Sequence, residues 1–411
     1  MPFLAKLLKH CVILLSAGAA GAAEWHVAPD GDDAAGGSRI RPFATIQRAQ
    51  RAASAGDTVF IRGGTYHMTD GMIAERKRIW AHVIHLDKSG ASGRPIRYQA
   101  VEGERPVFDF SAVKPKGLRV HAFQVSGSHI ELVGIAVTGV QVTLTGHTQS
   151  ICFSNTGSHN RYERLSMHDG MGIGFYLSRG SDNLVLNCDA WNNYDPVSEG
   201  GKGGNVDGFG CHPGRGDTGN VFRGCRAWWN SDDGFDCISA SEAIRFEDCR
   251  AFQNGRLEDG RRLGDGNGFK IGGFGIGPRY NAPRVIPRHV VTGCLAVENK
   301  ASGFYANHHP GGIDWIGNLA FGNSTNFNFL CRDLSAHRDL PGFGHVIRNN
   351  TSAGGRAEVR NLDEARCELS GNRFGETLST RERRSLEPQR LAAARGNDGA
   401  LPDIAFGRKH R

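Results

Sequence analysis

The sequence has no apolar stretch long enough to cross a bilayer. Crossing takes about 20 consecutive apolar residues, and the CVILL run at 11–15 falls well short of that. With Lys6 and Lys9 before it and the small-residue stretch AGAAGAA after it, this run reads instead as the core of a secretory signal peptide over residues 1–23, cut after Ala22 or Ala23. The mature chain is therefore expected to be soluble and exported, either secreted or periplasmic. A dominant charge sign is lacking too. The 49 Lys and Arg against 42 Asp and Glu leave a net charge of +7, compatible with an acidic polymer partner but not demanding one. Despite 57 glycines there is no Gly-X-Y period, which excludes a collagen-like chain. The glycines are spread as tight turns between short apolar runs, as in turn-rich β architectures. Ten cysteines, one of them Cys11 in the leader, leave an odd nine, which does not read as a disulfide framework. No His/Cys set has zinc-ligand spacing either, since the neighbours Cys211 and His212 lack partners.

What is present is a repeat. The phrases NVDGFG, SDDGFD and GNGFKIGG carry Gly-Phe pairs at Phe209, Phe235 and Phe269, 26 and 34 residues apart. Self-similarity at such separations marks a stacked array. Six segments align from residue 159 onward. Leu165, Cys188, Cys225, Cys249, Cys294 and Asn318 form one column, with Met167, Ala190, Ala227, Ala251, Ala296 and Ala320 two residues on. Small and apolar side chains at period 2 mean an inward strand face, so the cysteines read as small buried hydrophobes. Five residues after the cysteine column stand Asn193, Asn230, Asn254, Asn299 and Asn323, expected at an internal turn where amides bond along the stack. A phenylalanine column runs through Phe175, Phe209, Phe235, Phe269, Phe304 and Phe327, placed to stack coil on coil.

Constant cores with loops of variable length between them fit one architecture, an all-β right-handed parallel β-helix. Its body is expected over 24–376, with a C-terminal tail over 377–411 packing on the last coils. The pattern at 43–53 predicts an amphipathic helix capping the open N-terminal end. Strands are expected at 25–28 and 58–62. Loops at 194–204, 255–266 and 273–288 are expected to wall a groove. Cys211 and Cys237 each follow the column Phe by two residues, so neighbouring coils put them within the Cα range of a disulfide.

In-register coils lie about 4.8 Å apart, so residues distant in sequence share a surface patch. Asp207 and Asp233 both precede their Phe by two and become stacked neighbours. Asp236 and Lys270 both follow by one, and Asp232 adjoins Asp233. Carboxylates at this separation repel unless one is protonated or a cation holds them. An oxygen-only donor set favours a hard cation, Ca²⁺. Lys270 is then either a structural counter-charge or, once the metal cancels the carboxylates, a neutral general base. A metal beside a base suits β-elimination at an acidic sugar.

These phrases resemble the motifs of polysaccharide lyase family 9, pectate lyases with a parallel β-helix. The stretches HVAPDGDD, RPFATIQRA, AGDTVFIRGGTY and DGALPDIAF are similar to that family as well. The resemblance implies Asp207, Asp232, Asp233 and Asp236 as Ca²⁺ ligands and Lys270 as base. It also implies an acidic polysaccharide (polygalacturonate) as partner, rather than nucleic acid or a membrane. A capped solenoid is expected to be a monomer. One departure stands out, because the family often has an Asp and an Asn-rich run where this chain reads Tyr305-Ala306-Asn307-His308-His309. Arg279, Arg284, Arg288 and His308 are candidate sugar contacts, and the three arginines fit solvated loop charges equally. His212 and Arg215 fit either a sugar contact or a solvated loop. Two rivals remain. A β-helix polygalacturonase would use paired carboxylates but leaves Lys270 idle and lacks the Gly-His-Gly and Arg-x-Lys phrases. A non-catalytic glycan-binding β-helix would use Ca²⁺ only to staple coils.

Overall fold

Strands of two to seven residues cannot hold a free-standing sheet; they persist when paired with neighbours. The computed structural model describes residues 21–278, 282–396 and 398–405. There the short runs stack into three sheets of 12, 11 and 11 strands. One coil shows the scheme: Asn220–Arg223 lies in the first sheet, Arg226–Trp228 in the second and Phe235–Asp236 in the third. The next coil starts at Ile244–Glu247, paired parallel to Asn220–Arg223. The phenylalanine column is in register through Phe175, Phe209, Phe235, Phe269, Phe304 and Phe327, with ring centroids 4.7–5.0 Å apart from Phe209 to Phe327. Phe123 and Phe153 extend it toward the N-terminus. The parallel β-helix expected from the periodicity is thus the fold.

The corners explain the other columns. Between the second and third sheets the chain turns on one left-handed residue, Asn192, Trp229, Gln253, Glu298 or Gly322, with φ of 50–67°. The asparagine follows directly. Left-handed backbone costs a non-glycine residue roughly 1–2 kcal/mol, and the amide ladder offsets it. Asn193, Asn230, Asn254, Asn299 and Asn323 are at most 1% exposed, and each amide donates to the next at 3.0–3.1 Å. The cysteine column sits at the opposite corner. It is buried as expected but is not purely apolar, because Cys188, Cys225 and Cys249 donate to the Tyr162, Val185 and Phe222 carbonyls at 3.4–3.5 Å. Asn318 and Asn350 take over this role, donating to Val291 and Trp315.

Three expectations need correction. Cys211 and Cys237 are both free and fully buried. In-register side chains project in parallel about one strand spacing apart, wider than the 3.5–4.5 Å between Cβ atoms that a disulfide requires. The capping helix covers Ile46–Ala52, shorter than 43–53, because the Thr45 hydroxyl caps it by accepting the Arg48 N–H. Ile46 and Ala49 still face the core. The tail does not stop at the last coils. After the short helices Thr380–Ser385 and Pro388–Leu391 it runs back along the second sheet. There Leu378, Leu386 and Leu391 cover Trp228, Phe252, Leu295 and Leu319. Arg226 donates to the Leu391 and Ala393 carbonyls, and Arg395 pairs with Asp189 at 2.6 Å. An outward apolar stripe on that sheet (Trp191, Trp228, Phe252) needs this cover. Of the leader expected over 1–23, residues 1–20 lie outside the described residues. Among those described, no helix is long and apolar enough to cross a membrane.

Candidate active site and metal centre

The third sheet carries the chemistry, because the long loops flank it. Segments 194–204 and 255–266 lead into it and 273–288 leads out. The residue after each column Phe points outward, and register sets these in a line: Tyr176, Gly210, Asp236, Lys270, Tyr305 and Asn328. Asp207 and Asp233 stand in the neighbouring line, where the Asp233 N–H donates to Asp207 Oδ1 at 3.1 Å.

The structure brings Asp207, Asp232 and Asp233 together, each offering a carboxylate oxygen within 4.8 Å of the other two. All are buried, with exposures of 5%, 6% and 0%. Asp233 Oδ1 accepts the Asn267 N–H at 2.6 Å and its amide at 2.9 Å, and Asp232 Oδ1 accepts the Asp265 N–H at 2.6 Å. Asp236 stands beside this trio rather than in it. Its Oδ1 accepts the Ile238 N–H at 2.6 Å and its Oδ2 lies 3.1 Å from Lys270 Nζ. Lys270 Nζ is also 3.1 Å from Asp233 Oδ2 and 3.4 Å from Asp265.

Burial and mutual repulsion dominate the electrostatics. Burial, then the Asp232, Asp236 and Asp233 charges, push the Asp207 carboxyl well above the usual range. Burial and Asp233 do the same to Asp232. Burial raises Asp233 to about 6 although Lys270 opposes it. Burial alone would lower the Lys270 ammonium, but Asp233, Asp236, Asp207 and Asp232 outweigh it and hold its pKa raised. Without a further cation the lysine is locked in its protonated form. The residues fit such a cation. All donors are oxygens, three converge, and the buried Asp233 Oδ2 has the Lys270 ammonium at 3.1 Å but no hydrogen bond. Hard divalent cations take such carboxylate sets and fill out six to eight positions with water or substrate.

The remaining candidates are scattered. His308 lies one coil beyond Lys270, half-buried, its ring 6.0 Å from Tyr305. Arg284 is exposed on the 273–288 loop. The Arg288 guanidinium is committed to Asp314 at 2.6 Å and to the Gly344 carbonyl at 2.9 Å. Arg279 lies outside the described residues. Arg215 ties loops together by donating to the Ala282 carbonyl at 2.7 Å. His212 pairs with the Ile238 carbonyl at 3.0 Å and stacks on Tyr176.

Sequence reasoning missed Tyr176, Asn267 and Asp265. Tyr176 was available from the Phe column, since it follows Phe175 as Asp236 follows Phe235. Its ring lies over Gly210, where a Cβ would meet it at 2.4 Å. Burial, then Asp207 and Asp236, push its hydroxyl up to about 12. Asn267 shares the Asp207/Asp233 column and was equally readable. Asp265 sits on a loop with no register, so no spacing rule reaches it.

The family model described as "Pel9A-like, right handed beta helix region" matches residues 25–350. Among curated proteins, pectate lyase L of Dickeya chrysanthemi is 32% identical over 408 residues, 98% of this chain and 87% of that protein. Pectate lyase PEL9 of Emericella nidulans is 32% identical over 74% of each chain. Among solved structures, a rhamnogalacturonan lyase aligns with a TM-score of 0.89 and 43% identity, covering 94% of this chain and 96% of its own. Pectate lyase Pel9A aligns at 0.73 with 30% identity, covering 95% and 90%. With its fold, its in-register aspartates and this extent of similarity, the chain belongs to the Pel9A-like family of right-handed β-helix polysaccharide lyases.

Proposed function

We propose that this protein cleaves pectic polysaccharide by Ca²⁺-dependent β-elimination, with Lys270 as the base and Asp207, Asp232, Asp233 and Asp236 holding the ion. The observation that carries the reading is Lys270 Nζ at 3.1 Å from both Asp233 and Asp236, beside three convergent buried carboxylates. A lysine so placed is a cation when the carboxylates are bare and a candidate base when they are neutralised. Ca²⁺ held by these aspartates would supply that neutralisation and, with a uronate carboxylate as a further ligand, would acidify the carbon next to it. Lys270, released from Asp233 and Asp236, then takes the proton from C5. The electron pair left behind forms the C4–C5 double bond as the C4–O bond breaks and the glycosidic oxygen leaves. The lysine side chain is only 12% exposed, which limits competing protonation by bulk water. Tyr176 and Tyr305 flank Asp236 and Lys270 along the column and offer apolar faces to sugar rings.

The reaction needs a 4-linked uronate on one side of the bond only. Both polygalacturonate and a backbone alternating galacturonate with rhamnose provide it. The rhamnogalacturonan lyase at 43% identity favours the second polymer, and the curated pectate lyases the first. The test mixes purified protein with each polymer at alkaline pH, with Ca²⁺ or with excess chelator, and follows the ultraviolet absorbance of unsaturated uronate. A Ca²⁺-dependent rise on either polymer is expected, and the faster one names the substrate. Reducing ends without absorbance would instead indicate hydrolysis, and no product from either polymer would sink the reading.

A further inference from the structure

The outward face of the first sheet and the cleft on the third sheet treat arginine differently. On the first sheet, Arg97, Arg161, Arg223 and Arg245 each pair with a glutamate, at 2.6–3.0 Å. These are ordinary exposed ion pairs, worth little individually. N-terminal to the carboxylate cluster, the third sheet holds a cavity of about 490 Å³. Lys77, Arg119 and Arg179 line it, and among the described residues none of the three has a carboxylate within ion-pair distance. The one acid in its wall, Glu75, is already engaged by His82 Nδ1 at 2.9 Å and His85 Nδ1 at 3.2 Å. Three uncompensated cations around one concave, polar surface are an anion site by charge.

The cavity is continuous with the catalytic column. Asp236, Gly210, Tyr176, Ser154, Gln124 and His85 follow one another coil by coil. Five spacings of about 4.8 Å carry the line roughly 24 Å from the cluster. Tyr176 belongs both to this wall and to the surroundings of Asp207 and Asp236. Trp80 lies at the far end. An aromatic at either end, with basic forks and amides between them, is a lining suited to an acidic sugar chain: rings on the aromatics, carboxylates on the guanidiniums.

We propose that this cleft is the extended polymer-binding surface, in which Arg119, Arg179 and Lys77 hold uronate carboxylates several units from the cleaved bond and set the preference for long acidic chains. The inference rests on the pectic-lyase reading and deepens it. It runs the polymer from Lys270 toward the N-terminal end of the solenoid.

The test compares wild type with Arg119→Gln/Arg179→Gln, and with Arg179→Gln alone as the milder change at an exposed side chain, circular dichroism reporting the fold. On polygalacturonate the double variant is expected to raise KM about tenfold or more, the loss of charge-assisted contacts, with kcat unchanged. On the shortest cleavable oligomer both constants stay at wild-type values. Direct binding to long oligogalacturonate in chelator, read by calorimetry, falls in parallel and loses its salt dependence. A fully methyl-esterified chain binds weakly to both proteins. Wild-type KM and binding in the double variant, or equal affinity for the esterified chain, would overturn the proposal. Absence of turnover on any uronate polymer, with binding still lost in the variant, would remove the lyase reading and leave the cleft standing. Ca²⁺-dependent turnover with variants indistinguishable from wild type would do the reverse.

Discussion

Two columns of buried polar side chains climb the same coils, both in the connection from the second sheet to the third, and they are built on opposite terms. The asparagine ladder of residues 193, 230, 254, 299 and 323 is neutral and closed. Asn254 donates to Asn299 and to the Ala227 carbonyl and accepts from Asn230. The aspartate cluster a few residues later is charged and open. Asp207, Asp232 and Asp233 converge with raised pKa values, and the buried Asp233 Oδ2 has no hydrogen bond and only the Lys270 ammonium beside it, at 3.1 Å. A buried polar group is tolerable when satisfied and costly when not. The ladder therefore needs nothing from outside, whereas the cluster is stable only with a proton, a lysine or a metal in place. Scaffold and site are distinguished less by residue type than by whether the hydrogen-bond and charge requirements close within the chain.

The sharpest way to test that contrast is to remove Lys270, the cation paired with the cluster among the described residues. Lys270→Ala should lower kcat by about 10²–10⁴-fold, the usual worth of a general base, while the melting temperature in saturating Ca²⁺ stays near wild type. A retained rate would make the lysine a counter-charge only. Next in size, the ladder can be made to imitate the cluster. Asn254→Asp places a buried carboxylate among neutral amide and carbonyl partners, with an expected cost on the order of 3–5 kcal/mol at neutral pH. Urea unfolding should show that loss shrinking near pH 4, where the new carboxyl can protonate.

The smallest effect runs the other way and makes the cluster imitate the ladder. The cluster carboxyls have folded-state pKa values above the unfolded 3.8, so the native state binds more protons and loses stability as pH rises from about 4 through about 6, the value for Asp233. In chelator, Asp207→Asn should therefore melt above wild type at pH 8, with the gap closing toward pH 4. Each pKa unit relieved is worth about 1.4 kcal/mol. Added Ca²⁺ should erase or reverse the gap. Equal melting curves in chelator at both pH values would mean that the cluster is not strained.

Legibility followed register. Phe209, Phe235 and Phe269 fix which residues share a level, so the proximity of Asp207 to Asp233 and of Asp236 to Lys270 was readable from offsets of −2 and +1. Tyr176 and Asn267 obey the same rule and were simply not followed. Asp265, the cleft and the tail obey no such rule. Asp265 reaches Lys270 from a loop. The cleft draws on early coils, such as Arg119–Val125 and Ile151–Asn155, whose boundaries variable loops conceal. The tail finds its place through Arg395 and Asp189, 206 residues apart.

The sequence by itself determined the solenoid, its inward columns and the level of each acidic residue. A parallel in-register stack turns periodicity along the chain directly into distance across it. Only the tertiary structure decided that Lys270 also reaches Asp233 and Asp265, that Cys211 and Cys237 stay apart, and that unpaired cations gather around one cleft. Those outcomes depend on side-chain direction and on loops that share no period, and a one-dimensional repeat carries no information about either.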